Sequence, residues 1–392
     1  MLQNLPMQPA DKILQLMQMF REDTRTDKID LGVGVYKNAD GVTPIMGAVK
    51  AAEERIWQSE TTKAYTGLAG TPEFNSAMID LILDGAVPAD SVASVATPGG
   101  TGALRIAFEL VRQANPGVRF WYSNPTWANH AAMLKYLSLP AKAYRYFNDG
   151  GVDVNGMLED LKGAAPGDVV LLHGCCHNPT GANLRAEDWD AVIDLINAEG
   201  LIPLIDVAYQ GFGDGLEADA ANLRKVAKAC PETLIAASCS KNFGVYKERT
   251  GILLAVDHNA AQRAVTQSNL STLNRMNYSF PPDHGARIVS TVLSDAELRA
   301  DWQSELEAVR SGMLDLRKDL SSALRQETNS DRFDFLANHR GMFSMLGITP
   351  DEVVRLRETH AIYVIGDSRM NVAGLNKSTV PVLARAIADV IG

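Results

Sequence analysis

The feature that most constrains this chain is the alternation of two hydrophobic periods along its middle. "SVASVAT" leads through "PGGTG" into the helical pattern "ALRIAFELVRQA"; "VRFWY" leads through "SNPTWANH" into "AAMLKYL"; "DVVLLH" leads through "GCCHNPTG" into "AEDWDAVIDLINAEG". The short apolar runs continue with "LIPLID", "ETLIAA" and "GILLAV". A run that is apolar at nearly every position reads as a strand covered on both faces, and the amphipathic helices supply the cover. The expected fold class is therefore α/β with a mostly parallel sheet. Ligands on such sheets bind beyond the carboxyl ends of the strands.

Beyond about residue 295 the pattern changes to a long helical stretch, short strands around "DFLANHRGMFSMLG" and "AIYVIGDSRMNVAGL", and a last helix. This predicts a second, α+β domain. The segment 29–46 precedes the sheet, so the smaller domain is expected to be discontinuous. The boundaries expected are an N-terminal arm over 1–14, a small domain over 15–46 and 300–392, and a large sheet-bearing domain over 47–299. A chain of 392 residues, 46% of them hydrophobic, can bury cores for about two domains. Its 37 Lys and Arg against 47 Asp and Glu give a formal charge of −10, which disfavours a nucleic-acid or anionic-membrane surface. No basic leader with an apolar stretch opens the sequence and no run of about 18 apolar residues occurs, so a cytoplasmic location and no membrane partner are expected. Cys175, Cys176, Cys230 and Cys239 are too few and too irregular for a disulfide framework. The cluster His173, Cys175, Cys176, His177 lacks zinc-ligand spacing, and no metal is expected.

The unusual residues lie at the strand ends. "GGTG" at 99–102 opens a helix, so the amides of Gly100 and Thr101 offer an anion site suited to phosphate. In "SCSKNFGVYKERTG" (238–251), Ser238 and Arg249 add a hydroxyl and a permanent positive charge. Asp206 ends the apolar run "LIPLID", where a carboxylate is costly without a positive partner, and Tyr209 follows three residues on. A phosphate site, an acid, a phenol and Lys241 on neighbouring strand ends match the needs of pyridoxal phosphate. Its aldehyde needs an amine, its ring nitrogen a carboxylate and its phenolic oxygen a hydrogen-bond donor.

"HNPTG" (177–181), "IDVAYQGFGDG" (205–215), "SCSKNFGVYKERTG" and "GDSRMNVAGL" (366–375) resemble the class I aminotransferases, in their aspartate and aromatic amino-acid subgroup. The motifs occur in order almost end to end, and their wording is most similar to bacterial aromatic-amino-acid aminotransferases. The resemblance implies the fold type I architecture of pyridoxal-phosphate transferases, with a seven-stranded, mostly parallel sheet in the large domain. It implies that Lys241 holds the cofactor covalently and then acts as general acid–base, that Asp206 pairs with the ring nitrogen, and that His130 supports Asp206. Trp127 would stack on the ring, and Asn178 and Tyr209 would bond its phenolic oxygen. Gly100, Thr101, Ser238 and Arg249 would bind the phosphate, joined by Tyr65 from a neighbouring subunit. For the substrate, the resemblance implies that Arg369 takes the α-carboxylate, that Gly34 lies on a covering loop, and that Arg275 reaches across a homodimer to a distal carboxylate.

The expected reaction is ping-pong transamination of tyrosine, phenylalanine and tryptophan, with aspartate also accepted and 2-oxoglutarate as the acceptor. A strict aspartate aminotransferase is the alternative within the family. A nicotinamide oxidoreductase would share the sheet, but no G-x-G-x-x-G fingerprint is present. An amino-acid-sensing module would keep the cofactor without turnover and usually carries an added regulatory domain, for which no stretch is left over. A lyase or decarboxylase of the same fold would release ammonia or carbon dioxide.

Overall fold

The apolar runs form the strands of one seven-stranded sheet: β1 (Val92–Pro98), β2 (Phe120–Asn124), β3 (Ala141–Arg145), β4 (Val169–His173), β5 (Ile202–Val207), β6 (Glu232–Ser238) and β7 (Thr250–Asp257). The computed structural model describes residues 1–8, 10–38 and 40–392, Ala260 by its backbone alone. The strand order is β1-β7-β6-β5-β4-β2-β3. β7 runs antiparallel to both neighbours, and every other pair is parallel. Val169 to Leu171 and Leu204 to Ile205 are fully buried, as two-sided cover requires.

That cover includes the helix Gly99–Ala114, whose buried face of Ala103, Leu104, Ile106, Ala107, Phe108 and Val111 joins the sheet residues Val95, Val169, Leu171, Leu204 and Leu253 in one core. The strand register then lines up the strand ends. His173 lies opposite Asp206, Asp206 opposite Ala236, and Gly251 opposite Ser238. Residues distant in sequence thus meet along one edge of the sheet.

Two compact units emerge, one of residues 44–178 and 182–312 and the other of residues 1–43, 179–181 and 313–392. The helix Ala296–Thr328 runs through the division at 312/313. A continuous helical pattern carries no boundary mark, so the division lies away from the 299/300 read from sequence. The smaller unit has its own core, including Leu320, Leu324, Leu336, Ile348, Leu356, Leu383 and Ile387. Its helix Pro350–His360 begins with Thr349 and Glu352 exchanging backbone and side-chain hydrogen bonds, a reciprocal cap. Two short pairings complete it: Ile29–Asp30 parallel to Ile362–Tyr363, and Phe343–Met345 antiparallel to Arg369–Asn371. Among the described residues no helix is long and apolar enough to cross a membrane.

Candidate active site

The carboxyl edge of the sheet in the larger unit gathers most of the residues singled out from sequence. Asp206, at the end of β5, is buried, and its Oδ2 lies 2.9 Å from Nε2 of the fully buried His130. Burial alone pushes the Asp206 carboxyl up, but the His130 hydrogen bond and the nearby Lys241 charge reverse this and hold it below the usual carboxylate range. Trp127 meets the His130 ring edge-on, with centroids 5.2 Å apart.

Lys241, just past β6, places Nζ 4.8 Å from the centroid of the Tyr209 ring. Burial brings its pKa down to about 8, with Asp206 opposing and Arg249 assisting the shift. The amine therefore gives up its proton far more readily than an ordinary lysine.

A second cluster forms where β1 turns into the helix Gly99–Ala114. This helix has no side-chain N-cap and no acidic residue in its first turn, so its first amides keep their positive end open. Gly99 has φ +67°, and a Cβ there would lie 2.5 Å from Arg249 Nη2; a Cβ on Gly100 would lie 3.1 Å from Ser238 Cβ. The absence of those side chains lets the guanidinium and the serine close on the turn. Arg249 Nη1 donates to Ser240 Oγ at 3.2 Å and to the Tyr246 carbonyl at 3.3 Å, and among the described residues no carboxylate neutralises it. A helix N-terminus, an unneutralised arginine and a hydroxyl make a site for a doubly charged phosphate.

Asn178 is buried, and its Oδ1 has no hydrogen-bond partner among the described residues. Such an orphan is costly unless a bound group completes it. The amine, the carboxylate and the anion site together fit pyridoxal phosphate, which presents an aldehyde, a ring nitrogen and a phosphate.

Sequence reading named His130 behind Asp206 but missed what stands behind His130. Thr126 Oγ1 lies 2.8 Å from His130 Nδ1 and 3.2 Å from His173 Nε2, and His173 Nδ1 accepts from the Asn178 amide at 3.5 Å. Burial, helped by His130, drives the His173 pKa down to about 3, so the chain is neutral at this point. His173 also lines a polar cavity of about 80 Å³ with Cys175, Asn183, Asp214 and Asp219. Asp219 accepts the amides of Gly211, Gly213 and Asp214, pinning the loop that follows Tyr209. Buried Cys175 and Cys176 stand beside that carboxylate.

Gly34 and Arg369 belong to the smaller unit, where they meet around a residue not read from sequence, Phe343. Arg369 is buried, its guanidinium 4.4 Å from the Phe343 ring centroid, and Nη2 donates to the Gly32 carbonyl at 2.9 Å. A Cβ on Gly34 would lie 2.8 Å from Phe343 Cζ. Tyr65 and Arg275, in the larger unit, come together around Phe280. Among the described residues no hydrogen bond or ring contact joins either of them to Lys241.

A family model for aminotransferase class I and II matches residues 26–387. The aromatic-amino-acid aminotransferase of Paracoccus denitrificans is 59% identical over 392 residues, covering 100% of both chains. A solved aromatic amino acid aminotransferase with 3-indolebutyric acid matches with a TM-score of 0.98 at 59% identity, over 100% of each chain. The aromatic-amino-acid aminotransferase from Burkholderia pseudomallei, covalently bound to pyridoxal phosphate, matches with a TM-score of 0.97 at 39% identity over 99% of each. The sheet order, the phosphate-suited turn and these likenesses converge, and the chain belongs to the class I and II aminotransferases, fold type I enzymes that depend on pyridoxal phosphate.

Proposed function

We propose that this enzyme moves the amino group of phenylalanine, tyrosine and tryptophan to 2-oxoglutarate in a ping-pong cycle, and accepts aspartate as a second class of donor. The observation that carries the chemistry is the Lys241 amine, its pKa brought to about 8, beside Tyr209 and the His130-supported Asp206. Support for the aromatic preference comes from the 59% identity to the Paracoccus denitrificans aromatic-amino-acid enzyme and the likeness to a structure holding 3-indolebutyric acid.

Pyridoxal phosphate, when bound, supplies an aldehyde that condenses with amines and a ring that draws electrons from the substrate Cα. In this reading Lys241 holds it covalently when no substrate is bound. Its free amine would take the proton from the substrate Cα, a role that a pKa near working pH suits. Asp206 would keep the ring nitrogen protonated, and His130, Thr126 and His173 would hold Asp206 in place. Asn178 and Tyr209 donate to the phenolic oxygen, and Trp127 covers the ring face. Gly100, Thr101, Ser238 and Arg249 bind the phosphate.

For the substrate, Arg369 is the partner we assign to the α-carboxylate, which its forked guanidinium suits, and Gly34 belongs to a covering loop. Tyr65 and Arg275 act in the neighbouring copy of a homodimer, Tyr65 on the phosphate and Arg275 on a distal carboxylate. Arg275 pairs with acidic side chains and withdraws for aromatic ones, because an unpaired charge against a ring is costly to bury. The larger unit serves as the cofactor-binding domain of a cytoplasmic enzyme.

The test is a substrate panel: kcat/KM for phenylalanine, tyrosine, tryptophan and aspartate, with 2-oxoglutarate and saturating cofactor. Aromatic values equal to or above that for aspartate are expected. Turnover of aspartate alone would make this a strict aspartate aminotransferase.

A further inference from the structure

Arg275 is exposed, and its guanidinium lies 5.5 Å from the centroid of the Phe280 ring. Its Nη1 also donates to Ser279 Oγ. Among the described residues it makes no ion pair. The Tyr65 ring stacks on Phe280 as well, with centroids 4.8 Å apart and planes 17° apart. One half-buried phenylalanine thus touches both side chains assigned above to the neighbouring copy.

The backbone leading to the ring is anchored by buried hydrogen bonds. Fully buried Asn274 donates through Nδ2 to the Leu68 carbonyl at 2.9 Å and to the Ala96 carbonyl at 3.0 Å. It thereby ties the end of the helix Arg263–Asn277 to the segment following Tyr65 and to β1. The Tyr278 hydroxyl donates to Asn274 Oδ1. Ser279 then turns the chain at φ +70°, and the Phe280 amide donates to the Tyr278 carbonyl at 2.9 Å. The platform is anchored while the arginine above it is free to leave.

We propose that Phe280 determines specificity: its ring is the resting platform of Arg275, and its hold on the guanidinium sets the balance between dicarboxylic and aromatic substrates. This rests on the reading of Arg275 as the distal-carboxylate partner. A ring face and a hydroxyl hold an exposed guanidinium weakly, whereas a carboxylate offers a charge-assisted, bidentate partner. A distal carboxylate therefore draws Arg275 off the ring. An aromatic side chain offers it nothing, and Arg275 stays parked. Weakening the platform raises the fraction of Arg275 ready for a dicarboxylate and lowers the fraction parked for an aromatic substrate, so the ratio of the two affinities shifts by the change in that equilibrium.

The experiment uses holoenzyme and calorimetric dissociation constants for two non-reacting ligands, maleate and 3-phenylpropionate, with Phe280→Leu, Phe280→Trp and Arg275→Gln. Phe280→Leu is expected to tighten maleate about two- to five-fold and to weaken 3-phenylpropionate, the range that loss of an exposed cation–π contact supplies. Phe280→Trp, with the better ring, is expected to shift the ratio the opposite way, and it decides the matter if the leucine variant does not fold. An unchanged ligand ratio in the folded variants overturns the platform while Arg275→Gln still loses maleate. If Arg275→Gln binds maleate as the parent does, the reading of Arg275 fails, and the platform with it.

Discussion

Lys241 places its amine where burial disfavours charge, and this has a consequence measurable without any substrate. Its pKa in the folded chain is about 8, against an ordinary 10.5. Between those values the unfolded chain binds a proton that the folded chain does not, so stability of the cofactor-free protein rises with pH across that window. Below pH 8 both states carry the charge, and the folded state bears its full cost. Lys241→Met should therefore stabilise the cofactor-free protein at pH 7 by roughly 2–3 kcal/mol, at about 1.4 kcal/mol per pKa unit less an allowance for partial exposure. The gain should shrink by pH 10. Urea unfolding at the two pH values checks this, and a gain that does not depend on pH would rule it out. The candidate residues Lys241, Asp206 and Tyr209 stood out in sequence because lysine, aspartate and tyrosine at strand ends are unusual. Thr126 and His173 were not, because they lie 47 positions apart and join only once the strand register brings their ends together.

Among the elements, the turn from β1 into the helix Gly99–Ala114 is the candidate phosphate site. It works because Gly99 takes a left-handed conformation and leaves room for Arg249. Gly99→Ala brings a methyl to 2.5 Å from Arg249 Nη2 in a backbone conformation that alanine disfavours. Displacing the guanidinium should weaken pyridoxal-phosphate affinity about ten- to a hundred-fold, the worth of a charged hydrogen bond, with little change in far-ultraviolet circular dichroism. Equilibrium dialysis reads it, and parent-like affinity would remove Arg249 from the phosphate site. The glycines of "GGTG" and the apolar strands on either side of it are visible in sequence. The antiparallel sense of β7 is not, since "TGILLAVD" is apolar on both faces whichever way it pairs. Nor does sequence mark where one unit ends inside the unbroken helix Ala296–Thr328.

At the scale of the molecule, the proposal makes each active site a joint product of two copies. Tyr65 and Trp57 are 86% and 80% exposed in the single chain, which leaves large aromatic surface for a partner to cover. The shared-site claim has an arithmetic test. A Lys241→Ala subunit lacks its own amine but lends a sound Arg275, and an Arg275→Gln subunit does the reverse. Refolding the two in equal amounts gives half of the dimers as hybrids, each with one complete site, so aspartate turnover should recover to about one-quarter of the parent value. No recovery above the sum of the separate variants would contradict shared sites.

The central claim is that nitrogen passes from one carbon skeleton to another. Its most direct test gives the enzyme phenylalanine labelled with ¹⁵N, together with 2-oxoglutarate, and follows the label by mass spectrometry. The prediction is that ¹⁵N appears in glutamate, one equivalent for each phenylpyruvate formed, with none released as ammonium. Label appearing in ammonium, or carbon dioxide lost from phenylalanine, would contradict transamination and make this chain a lyase or a decarboxylase instead.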